Sequence, residues 1–154
     1  MAPILPYTSE EVYKLLKLDK ESVHLENNPE IKNYENSKEI LEKWDKFFMV
    51  KDDVYKALEL ARNEKLIGKG LEAKVYLNVD GEYEQVIKSL EPYLKQLFIV
   101  SEVILTKENL NKYNVCQVKI EKFEGCKCER CWNYYTNEDM VGNICKRCDD
   151  ILKK

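Results

Sequence analysis

The sequence predicts an α+β chain in several parts: a fragment of a helical bundle over residues 1–67, a small mixed α/β unit over 68–121, and a C-terminal four-cysteine ribbon over 122–154. Three observations predict it. Apolar residues recur at helical spacing through the first 67 positions, the period changes to two after Gly68, and four of the six cysteines fall within the last 27 of the 154 residues.

In the first part, Thr8-Ser9-Glu10-Glu11 reads as a capping box followed by the apolar stripe Val12, Leu15 and Leu16. The turn residues Asn27-Asn28-Pro29 close that segment. A longer helix is predicted from Asn36, with Glu39 three residues on. It continues through Ile40, Trp44, Phe47, Phe48, Val54, Tyr55, Leu58 and Ala61, with Gly68 as its stop. Trp44, Phe47 and Phe48 follow this stripe and read as bundle core rather than as a stacking platform. His24 has no Ser, Cys or carboxylate at a catalytic spacing and reads as structural.

From Leu71 to Val79, apolar residues alternate with mostly polar neighbours until Asp80-Gly81, which predicts a strand and a turn. Tyr83, Val86, Ile87 and Leu90 return to helical spacing, and Pro92, which has no N–H, is expected to kink or restart that helix. Two more strands are predicted at Phe98–Leu105 and Val115–Ile120, with Cys116 a buried thiol on the face it shares with Val118 and Ile120. Lys107-Glu108 and Glu138-Asp139 read as solvated turns.

The last segment is too short to be held by apolar burial alone and needs a staple. Cys128-Glu129-Arg130-Cys131 and Cys145-Lys146-Arg147-Cys148 supply one. Each Cys-x-x-Cys turn brings two thiolates to one side of a metal, and two turns complete a tetrahedral shell. One structural zinc on Cys128, Cys131, Cys145 and Cys148 is the preferred reading, against iron, redox chemistry or free thiols. Four thiolates leave no open position for catalysis. Cys126 competes with Cys128 for the first ligand place but reads as a bystander. A hairpin is predicted between Asn133–Thr136 and Met140–Ile144 around Asn137-Glu138-Asp139.

Composition narrows the setting. With 25 Lys+Arg against 28 Asp+Glu, the net charge of −3 gives no polyanion-binding footprint, so any nucleic-acid contact has to be local. No apolar run approaches a membrane span, and Met1–Pro6 lacks the features of a secretion signal, so the expectation is a soluble cytoplasmic chain with no membrane partner.

Cys128-Glu129-Arg130-Cys131-Trp132-Asn133 with the later Cys-x-Arg-Cys resembles the C-terminal finger of bacterial isoleucyl-tRNA synthetases. Ala2-Pro3-Ile4-Leu5-Pro6-Tyr7-Thr8-Ser9-Glu10-Glu11 is similar to the helix entry of the anticodon-binding bundle in that class. Glu21-Ser22-Val23-His24-Leu25 with Pro29, then Val54-x-Lys56-Ala57-Leu58-Glu59-x-Ala61-Arg62, Lys65-x-Ile67-Gly68 and Leu71-Glu72-Ala73-Lys74-Val75, match in order. Lys51 and Gly70 depart from the Arg and Ser usual in the family.

The resemblance implies a tRNA-binding C-terminal fragment of an isoleucine–tRNA ligase, monomeric and inactive alone. The family's nucleotide-binding signatures are absent, so the chain carries no catalytic or cofactor-binding residue, and ATP would be used only in a catalytic domain upstream of Met1. The implied partners are that domain and the anticodon stem-loop of isoleucine tRNA. The resemblance nominates Trp132 as a base-stacking residue; packing as the finger's miniature core is the other reading. Lys127, Arg130, Lys146 and Arg147 are candidate phosphate contacts, each with ordinary solvation as its alternative. Two other functions remain open: a stand-alone zinc ribbon that binds protein, and a DNA glycosylase-type finger protein. Against the glycosylase, Ala2 precedes Pro3, and no Lys or Arg lies between Cys131 and Cys145.

Overall fold

A computed structural model describes residues 2–27, 30, 32 and 34–153. The chain forms two compact units, residues 1–37 and 38–154.

In the first unit, helix α1 (Pro6–Leu16) starts earlier than the capping-box reading expects. Pro6 occupies its first turn, where a missing N–H costs nothing and the fixed φ suits a helix. Thr8 to Glu11 therefore lie inside the helix, and the Glu10 carboxylate instead accepts from Ser22 Oγ at 2.8 Å and Val23 N at 3.1 Å. The Ser22 hydroxyl bond is the chief cause that holds the Glu10 carboxyl below its ordinary pKa. His24 sits in the short 3-10 turn Val23–Leu25, and its N–H donates to Ser22 Oγ. Tyr13 donates its hydroxyl to Glu26. The predicted stripe Val12, Leu15 and Leu16 is exposed, and Ser9 and Tyr13 are the buried residues of α1. The Asn28 and Pro29 positions of the predicted turn, together with Met1, lie outside the described residues.

Helix α2 (Ser37–Asn63) starts one residue after Asn36, at the last position of the first unit, and all the rest of it lies in the second. It ends before Gly68: Lys65 takes a left-handed conformation (φ 60°), and its N–H closes on Arg62 O at 3.0 Å. The buried stripe is Phe47, Val50, Val54, Ala57, Leu58 and Ala61, with Asp53 buried among them. Phe47 is core, Trp44 is partly buried, and Phe48 is half-exposed.

Strand β1 (Ala73–Asn78) follows the alternating segment and buries Ala73, Val75 and Leu77. The Asp80-Gly81 turn holds Gly81 at φ 64°, a conformation natural to glycine. Helix α3 (Glu82–Ser89) precedes a 3-10 turn at Glu91–Tyr93, and α4 (Leu94–Phe98) restarts after Pro92. The second predicted strand is shorter than expected: Phe98 ends α4, Ile99 turns left-handed, and β2 covers Glu102–Leu105. Strands β3 (Asn111–Lys112) and β4 (Gln117–Lys122) complete a sheet of order β2-β1-β4-β3. The β1–β2 pair is parallel, bridged by α3 and α4, and β4 runs antiparallel to β1 and β3. The α2 stripe joins Val75, Leu77, Ile87, Leu94, Phe98 and Val118 in one core, where Phe47 and Phe98 stack at 5.6 Å between centroids.

The terminal ribbon has a separate small core of Cys128, Cys145 and Cys148, with Cys131, Tyr135, Met140 and Ile144 against it. It contains two short ladders rather than the single predicted hairpin. Strand β5 (Cys126–Lys127) pairs with β6 (Tyr134–Tyr135), and β7 (Met140–Val141) pairs with β8 (Ile144–Cys145), ahead of helix α5 (Lys146–Leu152). A 3-10 turn at Asn137–Asp139 separates the two, so each ladder shapes its own cysteine turn. No helix among the described residues is long and apolar enough to cross a membrane.

Candidate metal centre and nucleic-acid interface

Each cysteine pair is shaped by its own backbone. In the first, Cys128 N–H donates to Asn133 O and Trp132 N–H returns to Cys128 O, both at 2.9 Å, closing a tight loop around Cys128 and Cys131. The second opens from the β7–β8 turn, where Gly142 has φ 60°. The two turns are tied together by Glu129 N–H to Asn143 O at 3.0 Å and by Cys145 N–H to Cys128 Sγ at 3.3 Å.

The result brings the Sγ atoms of Cys128, Cys131, Cys145 and Cys148 within 4.8 Å of one another. Cys131 Sγ and Cys145 Sγ lie 3.9 Å apart. A tetrahedron with metal–sulfur arms of about 2.3 Å has edges of about 3.8 Å, so the donor set and spacing fit zinc. Cys126 stands outside this group, exposed, with its thiol toward Asn137 Oδ1 at 3.1 Å.

The surroundings of the clustered thiols differ from one to the next. Desolvation pushes the Cys128 thiol up, but the N–H groups of Cys131, Cys145 and Arg130 outweigh it and bring it down to about 6. Burial and the neighbouring thiols of Cys145, Cys128 and Cys131 push Cys148 up to about 12. A divalent ion held among the four sulfurs would favour their thiolate forms. Tyr135, which the sequence pattern does not single out, places its hydroxyl 3.6 Å from Cys131 Sγ. Its phenol is held above its ordinary range, first by desolvation and then by that thiol.

Around the cluster, Trp132 is 63% exposed, which excludes the reading that its ring is the ribbon's core. Its backbone is left-handed at φ 64°, and Lys127 Nζ lies 5.8 Å from the ring centroid. Arg130 spends one Nη1 donor on Cys148 O at 3.4 Å. Lys146 pairs with Asp139 at 3.4 Å. Arg147 is exposed and has no ion pair among the described residues. The arrangement is a sulfur-lined corner that presents an exposed indole with the Lys127 ammonium beside it.

Residues 1–77, half of the chain, match the family model described as the anticodon-binding domain of tRNA ligase. The chain belongs to that family. Along its whole length this anticodon-binding family member is also 46% identical to an isoleucine–tRNA ligase of Listeria monocytogenes, covering 18% of that protein. It is 42% identical over 99% of the chain to the isoleucine–tRNA ligase of Staphylococcus carnosus, covering 17% of it. With that of Lactobacillus acidophilus it shares 38% identity over the full chain and 17% of the relative. The chain spans less than a fifth of the length of these curated relatives. Similarity runs through the helical and α/β parts as well as the tail, which bears out the resemblance to isoleucyl-tRNA synthetases and sets this family member apart from proteins that would share a finger alone.

Proposed function

We propose that the chain is the non-catalytic C-terminal end of a cytoplasmic isoleucine–tRNA ligase and grips the anticodon stem-loop of isoleucine tRNA. Adenylate formation with ATP then belongs to a catalytic domain elsewhere in the ligase. The parts would be the helical segment 1–67, the α/β unit 68–121 and the ribbon 122–154, acting as one monomer. Cys128, Cys131, Cys145 and Cys148 hold one structural zinc, whose charge neutralises the thiolates and fixes the corner that presents Trp132.

The observation that carries this reading is the exposed indole of Trp132, held off the cysteine core with Lys127 beside its ring. Unpaired loop bases are recognised by stacking on such rings and by contacts to base edges. Lys127, Arg130 and Arg147 meet phosphates around the stacked base, and Lys146 joins them by exchanging its Asp139 partner. A net charge of −3 agrees with a narrow contact of this kind, in which a local surface does the binding.

The test is binding of isoleucine tRNA and a panel of other tRNAs at several salt concentrations. Affinity falls as salt rises, and isoleucine tRNA is preferred. Replacing Trp132 by Ala lowers that preference by about 5- to 150-fold, the equivalent of losing about 1–3 kcal/mol of stacking, with zinc retained. Equal affinity for every tRNA, or zinc loss in the variant, would refute the assignment. Binding to a protein partner with no salt-dependent RNA affinity would favour an interaction ribbon instead.

A further inference from the structure

The cysteine ribbon has its own core and its own ladders, separate from the core that unites α2 with the four-stranded sheet. Among the described residues, one hydrogen bond joins residues 126–153 to the body that precedes them: Tyr134 N–H to Ser101 Oγ, at 3.1 Å. Ser101 is 7% exposed and sits where α4 hands over to β2. Its hydroxyl donates to Leu71 O at 2.5 Å, and its own N–H donates to Ala73 O at 3.2 Å, both at the entrance to β1. One side chain therefore acts as donor to the sheet and acceptor from the ribbon, using both halves of its hydrogen-bonding capacity.

The covalent joint is tight at the same place. Phe123 N–H donates to Glu72 O at 2.7 Å, the residue after Leu71. Gly125 then passes so close to the ribbon that an added Cβ would collide with Tyr135 O and stand 2.6 Å from Phe123 Cε1. Tyr134 lies two positions beyond Trp132, and the loop between them is closed by the bonds between Cys128 and both Asn133 and Trp132. Tyr134 thus adjoins the closed loop that carries the indole.

We propose that Ser101 is the positioning residue that sets the orientation of the cysteine ribbon on the α/β body and so aims Trp132 at its RNA. This inference rests on the RNA-binding role proposed above. Ser101 touches no nucleotide; it acts through Tyr134, and Gly125 supplies the clearance that lets the bond form.

The experiment uses the full chain, labelled with 5-fluorotryptophan, in Ser101→Ala, Ser101→Thr and Gly125→Ala forms. Hydrogen exchange of the Tyr134 amide reads the joint, the two fluorine signals read Trp132 and Trp44, and zinc content and tRNA preference are measured alongside. Ser101→Ala is expected to speed Tyr134 exchange at least tenfold, narrow the Trp132 signal and leave the Trp44 signal unchanged. Zinc content stays at one, and the preference for isoleucine tRNA falls severalfold. Ser101→Thr, which keeps the hydroxyl, restores both the exchange rate and the preference. Gly125→Ala reproduces the Ser101→Ala pattern without touching the hydroxyl, so a folding defect peculiar to one variant does not decide the matter.

Unchanged Tyr134 exchange and an unchanged Trp132 signal in Ser101→Ala overturn the proposal. So does a freed ribbon whose tRNA preference equals that of the unmodified chain. An unmodified chain without any tRNA preference overturns the RNA reading, and with it the aiming role, while the exchange and fluorine data still report whether Ser101 holds the ribbon.

Discussion

Asp53 Oδ2 accepts the backbone N–H of Val115 at 2.7 Å, across 62 positions of sequence. The carboxylate is 1% exposed, and its other oxygen lies 3.7 Å from Lys56 Nζ. It links the middle of α2 to the β3–β4 connection, a place where apolar contact alone would leave a partly buried donor unpaired. Asp53→Ala is expected to destabilise the second unit by about 1–3 kcal/mol in urea melts, the cost of losing a hydrogen bond from a partly buried N–H to a buried carboxylate. Asp53→Asn, which keeps an acceptor, costs less. Equal losses in the two variants would show that the bond to Val115 is not what matters.

The thiols should separate by reactivity. Cys116 is buried 3.7 Å from Asp53 Oδ2, and burial, then that carboxylate, push it up to about 12. Because its folded pKa exceeds its unfolded value, its contribution to stability is complete below the ordinary thiol range and is lost as pH rises through about 12. At pH 8, alkylation followed by mass spectrometry should mark the exposed Cys126 first and spare Cys116. With the proposed zinc bound, Cys128, Cys131, Cys145 and Cys148 should stay protected until a chelator is added. Rapid labelling of Cys116 in the folded chain would contradict this order.

Any one of the four clustered cysteines changed to Ser should lower zinc content by mass spectrometry and unlock the ribbon. Its core is separate from that of the sheet, so amide protection at Val75, Leu77 and Val118 should persist. Loss of protection throughout the sheet would mean that the two cores fold as one.

The first unit should respond to acid. The Glu10 carboxyl is held low chiefly by the Ser22 hydroxyl, and that of Glu26 chiefly by Tyr13 and then Lys20. A depressed carboxylate stabilises the fold above its unfolded pKa, and that contribution disappears as pH falls through the lower folded value. The amide signals of Val23 and His24 should therefore shift below the ordinary carboxylate range. Glu10→Gln should remove that titration from Val23. A Val23 signal that titrates as before in this variant would refute the assignment.

Periodicity made the long elements legible. The stripe through Phe47, Val54, Leu58 and Ala61, the alternation in β1 and the restart after Pro92 all rest on local patterns that the folded chain keeps. Three features were settled by other contacts. Pro6 overrode the capping box, Lys65 ended α2 before Gly68, and each half of the ribbon paired with a near neighbour instead of with the other half. The cysteine cluster was readable from spacing because two turns of fixed geometry leave few ways to meet. Ser101 was not, since a lone serine before a strand gives no sign that a segment 33 residues away will bond to it.

Trp132 occupies a left-handed backbone position, φ 64°, that bulky residues ordinarily avoid at a penalty of about 1–2 kcal/mol. Glycine would relax that corner and make the tail sturdier, while erasing the flat aromatic surface it carries. Under the proposed zinc-bound, RNA-binding role, thermal resistance and recognition pull this single site in opposite directions: Trp132→Gly should raise the melting temperature of the tail and weaken RNA binding. An exposed indole on a left-handed backbone thus leaves the tail a route to greater durability that only a smaller residue could take.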